Sequence, residues 1–237
     1  MKPSGHSAVM AQRASPAAPD ALDYFPTPPW AARAGGELIK RLDPAARTCW
    51  EPACGEGHMA WGLKDYFDVV GCSDIHAYGA GAVFDFLADD PPAELATPRW
   101  DWIVTNPPFV AGEAFVRAGL KRARRGVAML LRSVFLEGAG RYPIFTDEAF
   151  GFAVHAQFAE RVPMVKGRWD PQASSATAYS WFVWFKPELR GDFWIRTHLH
   201  GCHFGTIIPP GTRQRLLRTQ DLARFCGGDG GELFSGA

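Results

Sequence analysis

The stretch DWIVTNPPFV, residues 101–110, ends an apolar run in an amide, two prolines and an aromatic ring. Asn106 offers a carbonyl oxygen that accepts hydrogen bonds. Pro107 and Pro108 fix the chain and carry carbonyls with no competing N–H. Phe109 offers a flat face, worth roughly 1–3 kcal/mol to a stacked base. Acceptors beside a stacking face suit a planar –NH2 group conjugated to a ring or a carbonyl. Such a nitrogen is a poor nucleophile because its lone pair is delocalised. Two acceptors gripping both N–H bonds favour a pyramidal nitrogen with a localised lone pair, with no need of a metal or a strong base. The same four residues are also compatible with a proline turn capped by Asn.

A second candidate is EPACGEG, residues 51–57. Gly55 and Gly57 let the backbone turn tightly and approach a ligand, and the helix that follows presents free N–H groups. Asp74 lies 17 residues beyond Gly57, where a carboxylate can accept hydrogen bonds from a ribose diol. Glu51 can accept from a cationic amino group. The full GxGxxG pattern is absent, so a dinucleotide is not required. A tight strand-to-helix turn without a ligand accounts for the glycines equally well.

These residues need elements to hold them. PTPPWAARAGGELIKRL predicts an amphipathic helix through about Leu42, ended by Asp43-Pro44. RTCWEP predicts a buried strand and MAWGLKDYF the helix after it. DVVGCSDI, AVFDFL and WDWIVT predict strands two to four. A helix follows at about 112–125, with Val116, Leu120 and Ala123 on one face. GVAMLLRSVFL (126–136) predicts strand five, and FAERVPMV (158–165) and AYSWFVWF (178–185) two more, joined as a hairpin. Alternating strands and helices imply parallel βαβ units in a sheet covered on both faces, made mixed by the final antiparallel pair. The expected fold is therefore α/β, with a mostly parallel seven-stranded sheet. Glu51, Asp74, Asp85 and Asn106 then follow successive strands, at the edge where such sheets bind ligands.

Composition narrows the classes. Lys plus Arg and Asp plus Glu number 25 each, so net charge does not announce a nucleic-acid binder. Charge is unevenly placed: residues 117–125 carry five cations and no anion, and residues 213–224 carry four arginines and one aspartate. Five cysteines without a CxxC pair argue against a disulfide scaffold and for a reducing, cytoplasmic setting. There is no apolar run of membrane-spanning length. HLHGCHF (198–204) packs metal-capable residues too closely for usual zinc spacings, so no metal is expected. Residues 1–22 are expected to form a disordered tail, 23–187 the main domain and 188–237 an extension.

EPACGEG followed by NPPF, with TPP (27–29) ahead of both, resembles the S-adenosylmethionine-dependent amino-methyltransferases, especially the compact phage- or prophage-type DNA adenine-N6 enzymes. The resemblance covers about residues 23–136 well and 150–187 loosely. It implies a Rossmann-like class I methyltransferase fold that acts on DNA, double- or single-stranded, with a flipped target base. By position, Tyr24, Thr27 and Pro28 would line the methionine end of the cofactor S-adenosylmethionine. Glu51, Ala53, Gly55 and Gly57 would form its floor. Asp74 would hold the ribose hydroxyls and Ile75 would pack on the adenine. Asp85 would bond that adenine's exocyclic amine, with Phe86 beside it. Asn106 and the Pro107 carbonyl would hold the target amine, with Pro108 stiffening the turn and Phe109 stacking on the target ring. Lys166, Arg168 and Trp169 lie where this family flanks the target base, although a solvated hairpin tip fits them as well.

Only 19 residues separate Phe86 from Asn106, too few for a recognition domain there. The segment after Pro187 is either a small recognition element, its arginines serving phosphates or guanines, or a cap on the sheet. Relaxed sequence specificity is the expectation, with a partner subunit supplying recognition as the other option. The same chemistry on an rRNA base or a protein glutamine, and a non-catalytic nucleic-acid- or nucleotide-binding protein, are the alternatives.

Overall fold

The computed structural model describes residues 23–96, 100–147, 149–186 and 203–226. The expected N-terminal tail, residues 198–202 of HLHGCHF, and much of the segment after Pro187 lie outside the described residues.

The chain enters helix α1 (Pro29–Leu42) through Pro28 and Pro29, whose fixed φ suits the first helical turn. Lys40 and Arg41 occupy the last turn, and the helix stops at Asp43 as the following Pro44 requires. Strand β1 (Thr48–Glu51) leads through the glycine turn into helix α2 (His58–Leu63). Strands β2 (Val69–Asp74) and β3 (Ala82–Val83) follow, then helix α3 (Ala93–Ala96), β4 (Trp102–Thr105), helix α4 (Gly112–Arg122) and β5 (Gly126–Arg132). The short helix α5 (Tyr142–Thr146) precedes β6 (Phe152–Phe158) and β7 (Tyr179–Phe185); β8 (Phe204–Ile208), α6 (Thr212–Leu216) and α7 (Thr219–Phe225) complete the described elements.

The sheet order is β3-β2-β1-β4-β5-β7-β6-β8. Strands β1 to β5 are mutually parallel, β7 runs antiparallel to both β5 and β6, and β8 runs parallel to β6. The sheet has eight strands, one more than the pattern of the sequence counts, because Phe204–Ile208 adds to the edge beyond β6. Alternate residues serve opposite faces. Leu130, Trp181 and Val183 join the core that holds Trp30 and Ile39 of α1. Met129, Phe182 and Trp184 join the core that holds Trp50, Phe86 and Phe115. Burial on both faces explains why these strands are continuously apolar instead of alternating.

Three expected strands are corrected. The sixth is Phe152–Phe158, ending where 158–165 was expected to begin. In 158–165, Val162 and Met164 are buried without strand pairing; Pro163 between them cannot donate to a ladder. The third strand shrinks to two residues because Asp85 turns the chain, its Oδ1 accepting the Leu87 N–H at 2.9 Å. The fifth ends at Arg132, and Ser133–Leu136 coil into a 3-10 turn.

Candidate active site

Strands β1 and β4 are neighbours, while the chain leaves them for opposite halves of the sheet. This is the switch point of an open α/β sheet, where a crevice opens beyond the carboxyl ends. A cavity of about 320 Å³ lies there, within the ~300–1,000 Å³ usual for small-molecule sites.

Strand β4 is buried throughout, then breaks at Asn106. The Asn106 Nδ2 donates to the Phe25 carbonyl at 3.1 Å and approaches the Met164 sulfur at 3.6 Å. Those contacts orient the amide, since a flip would set its oxygen against the Phe25 oxygen. Asn106 Oδ1 is left buried without a partner at the cavity wall. The Pro108 carbonyl closes the next turn by accepting the Ala111 N–H at 2.9 Å. The Phe109 N–H is held by Asp23 Oδ2 at 2.8 Å, and its ring leans on Phe25 at 4.9 Å. The Arg132 guanidinium stacks over the Phe109 ring, 3.7 Å from its centroid.

The glycine turn forms the opposite wall. Gly55 has φ of +50°, and a Cβ there would fall 2.3 Å from the Tyr24 ring, so only glycine lets Tyr24 cover the turn. Gly57 (φ +87°) then sets the start of α2. The Tyr24 hydroxyl accepts the Glu56 N–H at 3.4 Å and lies 3.5 Å from His58 Nδ1. Its ring packs on Tyr78 at 4.8 Å, and burial raises its pKa above the ordinary phenol value.

Glu51, at the end of β1, is 1% exposed. Its Oε1 accepts the Thr105 hydroxyl at 2.9 Å, whereas its Oε2 is buried without a partner. Burial raises the Glu51 carboxyl pKa well above the usual range. The Asp74 carboxylate accepts the Gly55 N–H at 2.9 Å and the His76 N–H at 3.0 Å, and burial raises its pKa as well.

Of the residues singled out in the sequence, Tyr24, Thr27, Glu51, Ala53, Asp74, Ile75, Asp85, Phe86 and Asn106 to Phe109 line this cavity. Pro28, Gly55 and Gly57 are not among the lining residues: Pro28 caps the first helix and the two glycines turn the chain at positive φ. Lys166, Arg168 and Trp169 do not line it. Trp169 is buried against His58 and Phe225, closed to an incoming base; Arg168 is exposed and 3.6 Å from Asp170. Asp23, Phe25, His58 and Tyr78 also line the cavity, unmarked by any motif. Their one signal was proximity to Tyr24, the glycine turn and Asp74.

Asp23, Glu51, Asp74 and Asp85 all border the cavity, and no Lys or Arg is among the lining residues. The acidic side chains of the lining thus outnumber the basic ones, His58 and His76, and favour a cationic ligand. A ligand bearing ammonium and sulfonium charges fits, and the half-exposed Ile75 gives an apolar wall for its ring. S-adenosylmethionine has those features.

The arginines of the two basic stretches are engaged within the molecule. Arg117 pairs with Glu113 at 2.8 Å, Arg124 with Asp101 at 3.8 Å and Arg125 with Asp43 at 2.5 Å, while Arg122 donates to the Ala88 carbonyl. Arg213 donates to the Pro171 carbonyl, Arg215 pairs with Glu37, Arg218 with Asp65, and Arg224 stacks on Trp61. Among the described residues no helix is long and apolar enough to cross a membrane, and no cluster of three metal-capable side chains occurs.

The fold is that of the Rossmann-like class I methyltransferases, an α/β sheet that is mixed and mostly parallel. Similar solved structures include the methyltransferase subunit of a type I restriction-modification system from Streptococcus thermophilus, 15% identical, covering 70% of this chain and 45% of that one, with a TM-score of 0.54. A protein of Pyrococcus horikoshii proposed to be an RNA methyltransferase is 16% identical, with 73% and 90% covered and a TM-score of 0.53. A third is DrdV in complex with DNA, 13% identical, with 81% and 28% covered and a TM-score of 0.50. The chain thus spans less than half the length of the restriction subunit. The sequence matches no protein-family model and no curated protein.

Proposed function

We propose that this protein transfers a methyl group from S-adenosylmethionine to the exocyclic N6 of adenine in DNA, on a base flipped from the duplex or presented single-stranded, with relaxed sequence specificity. The observation that carries the proposal is the Asn106 amide on the cavity lining, whose nitrogen is tied back to Phe25 and whose oxygen is buried without a partner. A buried acceptor left unmade costs about 1–3 kcal/mol, so its retention beside a stacking ring argues for a substrate N–H donor.

When bound, the cofactor supplies an electrophilic methyl group on a sulfonium. Tyr24, Thr27 and Glu51 would hold its amino-acid end, with Pro28 fixing the chain next to Thr27. Ala53, Gly55 and Gly57 shape the floor beneath it, and Asp74, Ile75, Asp85 and Phe86 take its nucleoside. Phe109 would stack on the target ring in place of the Arg132 guanidinium that covers it in this structure, and that contact would offset much of the few kcal/mol of unstacking. Asn106 Oδ1 and the Pro107 carbonyl accept the two N–H bonds of the target amine and localise its lone pair. With the amine held in this way, its lone pair would be aimed at that methyl group, and the proton shed on methylation would pass to solvent. Catalysis is by positioning and oriented dipoles. Lys166 and Arg168, exposed on the 162–169 loop, meet the backbone phosphates; Trp169 supports that loop from beneath. The DNA substrate draws further support from the TPP segment ahead of the glycine turn.

The deciding experiment incubates the protein with methyl-labelled cofactor and, separately, duplex DNA, single-stranded DNA, RNA and a release factor. Label recovered as N6-methyladenine in DNA is the expected result. Label in RNA or protein alone overturns the DNA substrate, and cofactor binding without any transfer favours a non-catalytic binder.

A further inference from the structure

We infer that the Thr105 hydroxyl is a positioning group that reserves one oxygen of Glu51 for the cofactor's ammonium, which links the cofactor pocket to the NPPF ledge through one side chain. The inference rests on the cofactor named above. Thr105 is the last residue of β4 and is 0% exposed. Glu51 is the last residue of β1, the parallel neighbour of β4. The two side chains therefore meet at the switch point, with Oγ1 to Oε1 at 2.9 Å.

The consequence lies in what the bond leaves over. A buried carboxyl with no donor would turn toward whatever polar group it could reach. Here a hydroxyl occupies Oε1 and sets the plane of the carboxyl group, and Oε2 remains buried without a partner. Glu51 borders the cavity, and no Lys or Arg lines that cavity to take the free oxygen. The Ala60 N–H lies close enough to lower the pKa of this carboxyl, yet Oε2 stays without a hydrogen-bond partner; the amino-acid end of the cofactor carries a donor that suits it. Thr105 also precedes Asn106, so the same strand end orients the carboxyl for one ligand and the amide for the other. A strand position alone does not explain the threonine, since valine fills a strand equally well and brings no hydroxyl to satisfy.

The test compares two ligands by titration calorimetry on the full chain. S-adenosylhomocysteine carries the amino-acid end, and methylthioadenosine lacks it. Thr105→Val is expected to weaken S-adenosylhomocysteine about tenfold or more, as loss of a hydrogen bond to a charged group does, and to leave methylthioadenosine within about twofold. Thr105→Ser is expected to restore S-adenosylhomocysteine to within about threefold of wild type. Thr105→Cys, whose thiol is a weak donor, supplies the same comparison if the valine variant does not fold. Equal affinity of wild type and Thr105→Val for S-adenosylhomocysteine overturns the inference. So does an equal loss for both ligands, the mark of a merely structural role. Wild-type protein that binds neither ligand removes the cofactor itself, and the inference with it.

Discussion

Arg33 of the first helix and Asp221 of the last form a bidentate ion pair, Nη1 to Oδ2 at 2.6 Å and Nη2 to Oδ1 at 2.8 Å, with both side chains at most 1% exposed. Asp221 also accepts the Trp61 indole N–H at 2.9 Å and the Arg218 N–H at 3.0 Å. The C-terminal helices are thereby fastened to the body that carries the glycine turn. Removing Asp221 leaves the buried guanidinium with Asp65, 2.5 Å from its Nε, and the Leu216 carbonyl as its remaining partners, so Asp221→Ala should cost about 3 kcal/mol in urea unfolding. Replacing both, as Arg33→Met with Asp221→Leu, should cost markedly less.

Asn106→Ala should lower turnover by on the order of a hundredfold or more, as loss of an oriented dipole does. Cofactor affinity should stay near the wild-type value, because the proposed role of the amide is to hold the target amine and not the cofactor. Single-turnover rates alongside cofactor titration check both statements. Near-normal turnover would remove Asn106 from the catalytic role.

Gly55→Ala should displace Tyr24, since the new methyl would lie 2.3 Å from its ring at a φ of +50°. The backbone strain alone is worth about 1 kcal/mol. Cofactor affinity should fall about tenfold or more, in excess of the loss of stability. Calorimetry paired with thermal unfolding separates the two.

His58 is buried at the start of α2 and stacks on Phe225 at 3.9 Å. Burial, helped by the Arg224 charge, lowers its pKa from 6.5 to about 4. Between those values the unfolded chain holds a proton that the folded chain refuses. Its contribution to stability is present above 6.5 and is lost as pH falls through about 4. Glu51 acts in the opposite sense. Its folded pKa is raised by burial, so its contribution is present in acid and lost as pH rises through the folded value. The two groups act in opposite directions. His58→Phe keeps the stack and removes one of them, so between about pH 7 and 5 the variant should gain roughly 2 kcal/mol on wild type. Urea unfolding at the two pH values measures that difference.

Much of the site was readable in the chain because its motifs sit at strand ends, where polar residues interrupt apolar runs. Glu51, Asp74 and Asn106 are each placed by the strand before them. Other features were hidden for physical reasons. The run VPMV is apolar enough for a strand, but Pro163 breaks the ladder and its neighbours pack into the core as loop. Trp169 reads as a stacking residue, but its ring is closed in by His58 and by Phe225, 56 positions further on.

Order along the chain sufficed for the α/β architecture and for bringing the NPPF stretch to a strand end, because hydrophobic periodicity and residue chemistry are local properties. Three-dimensional packing assigned the partners. It tied the Asn106 nitrogen to Phe25 and left the oxygen free, gave Thr105 to one oxygen of Glu51, and matched the arginines of both basic stretches to acceptors or rings within the protein. Which donor meets which acceptor depends on residues tens to hundreds of positions apart, and no local pattern encodes that distance.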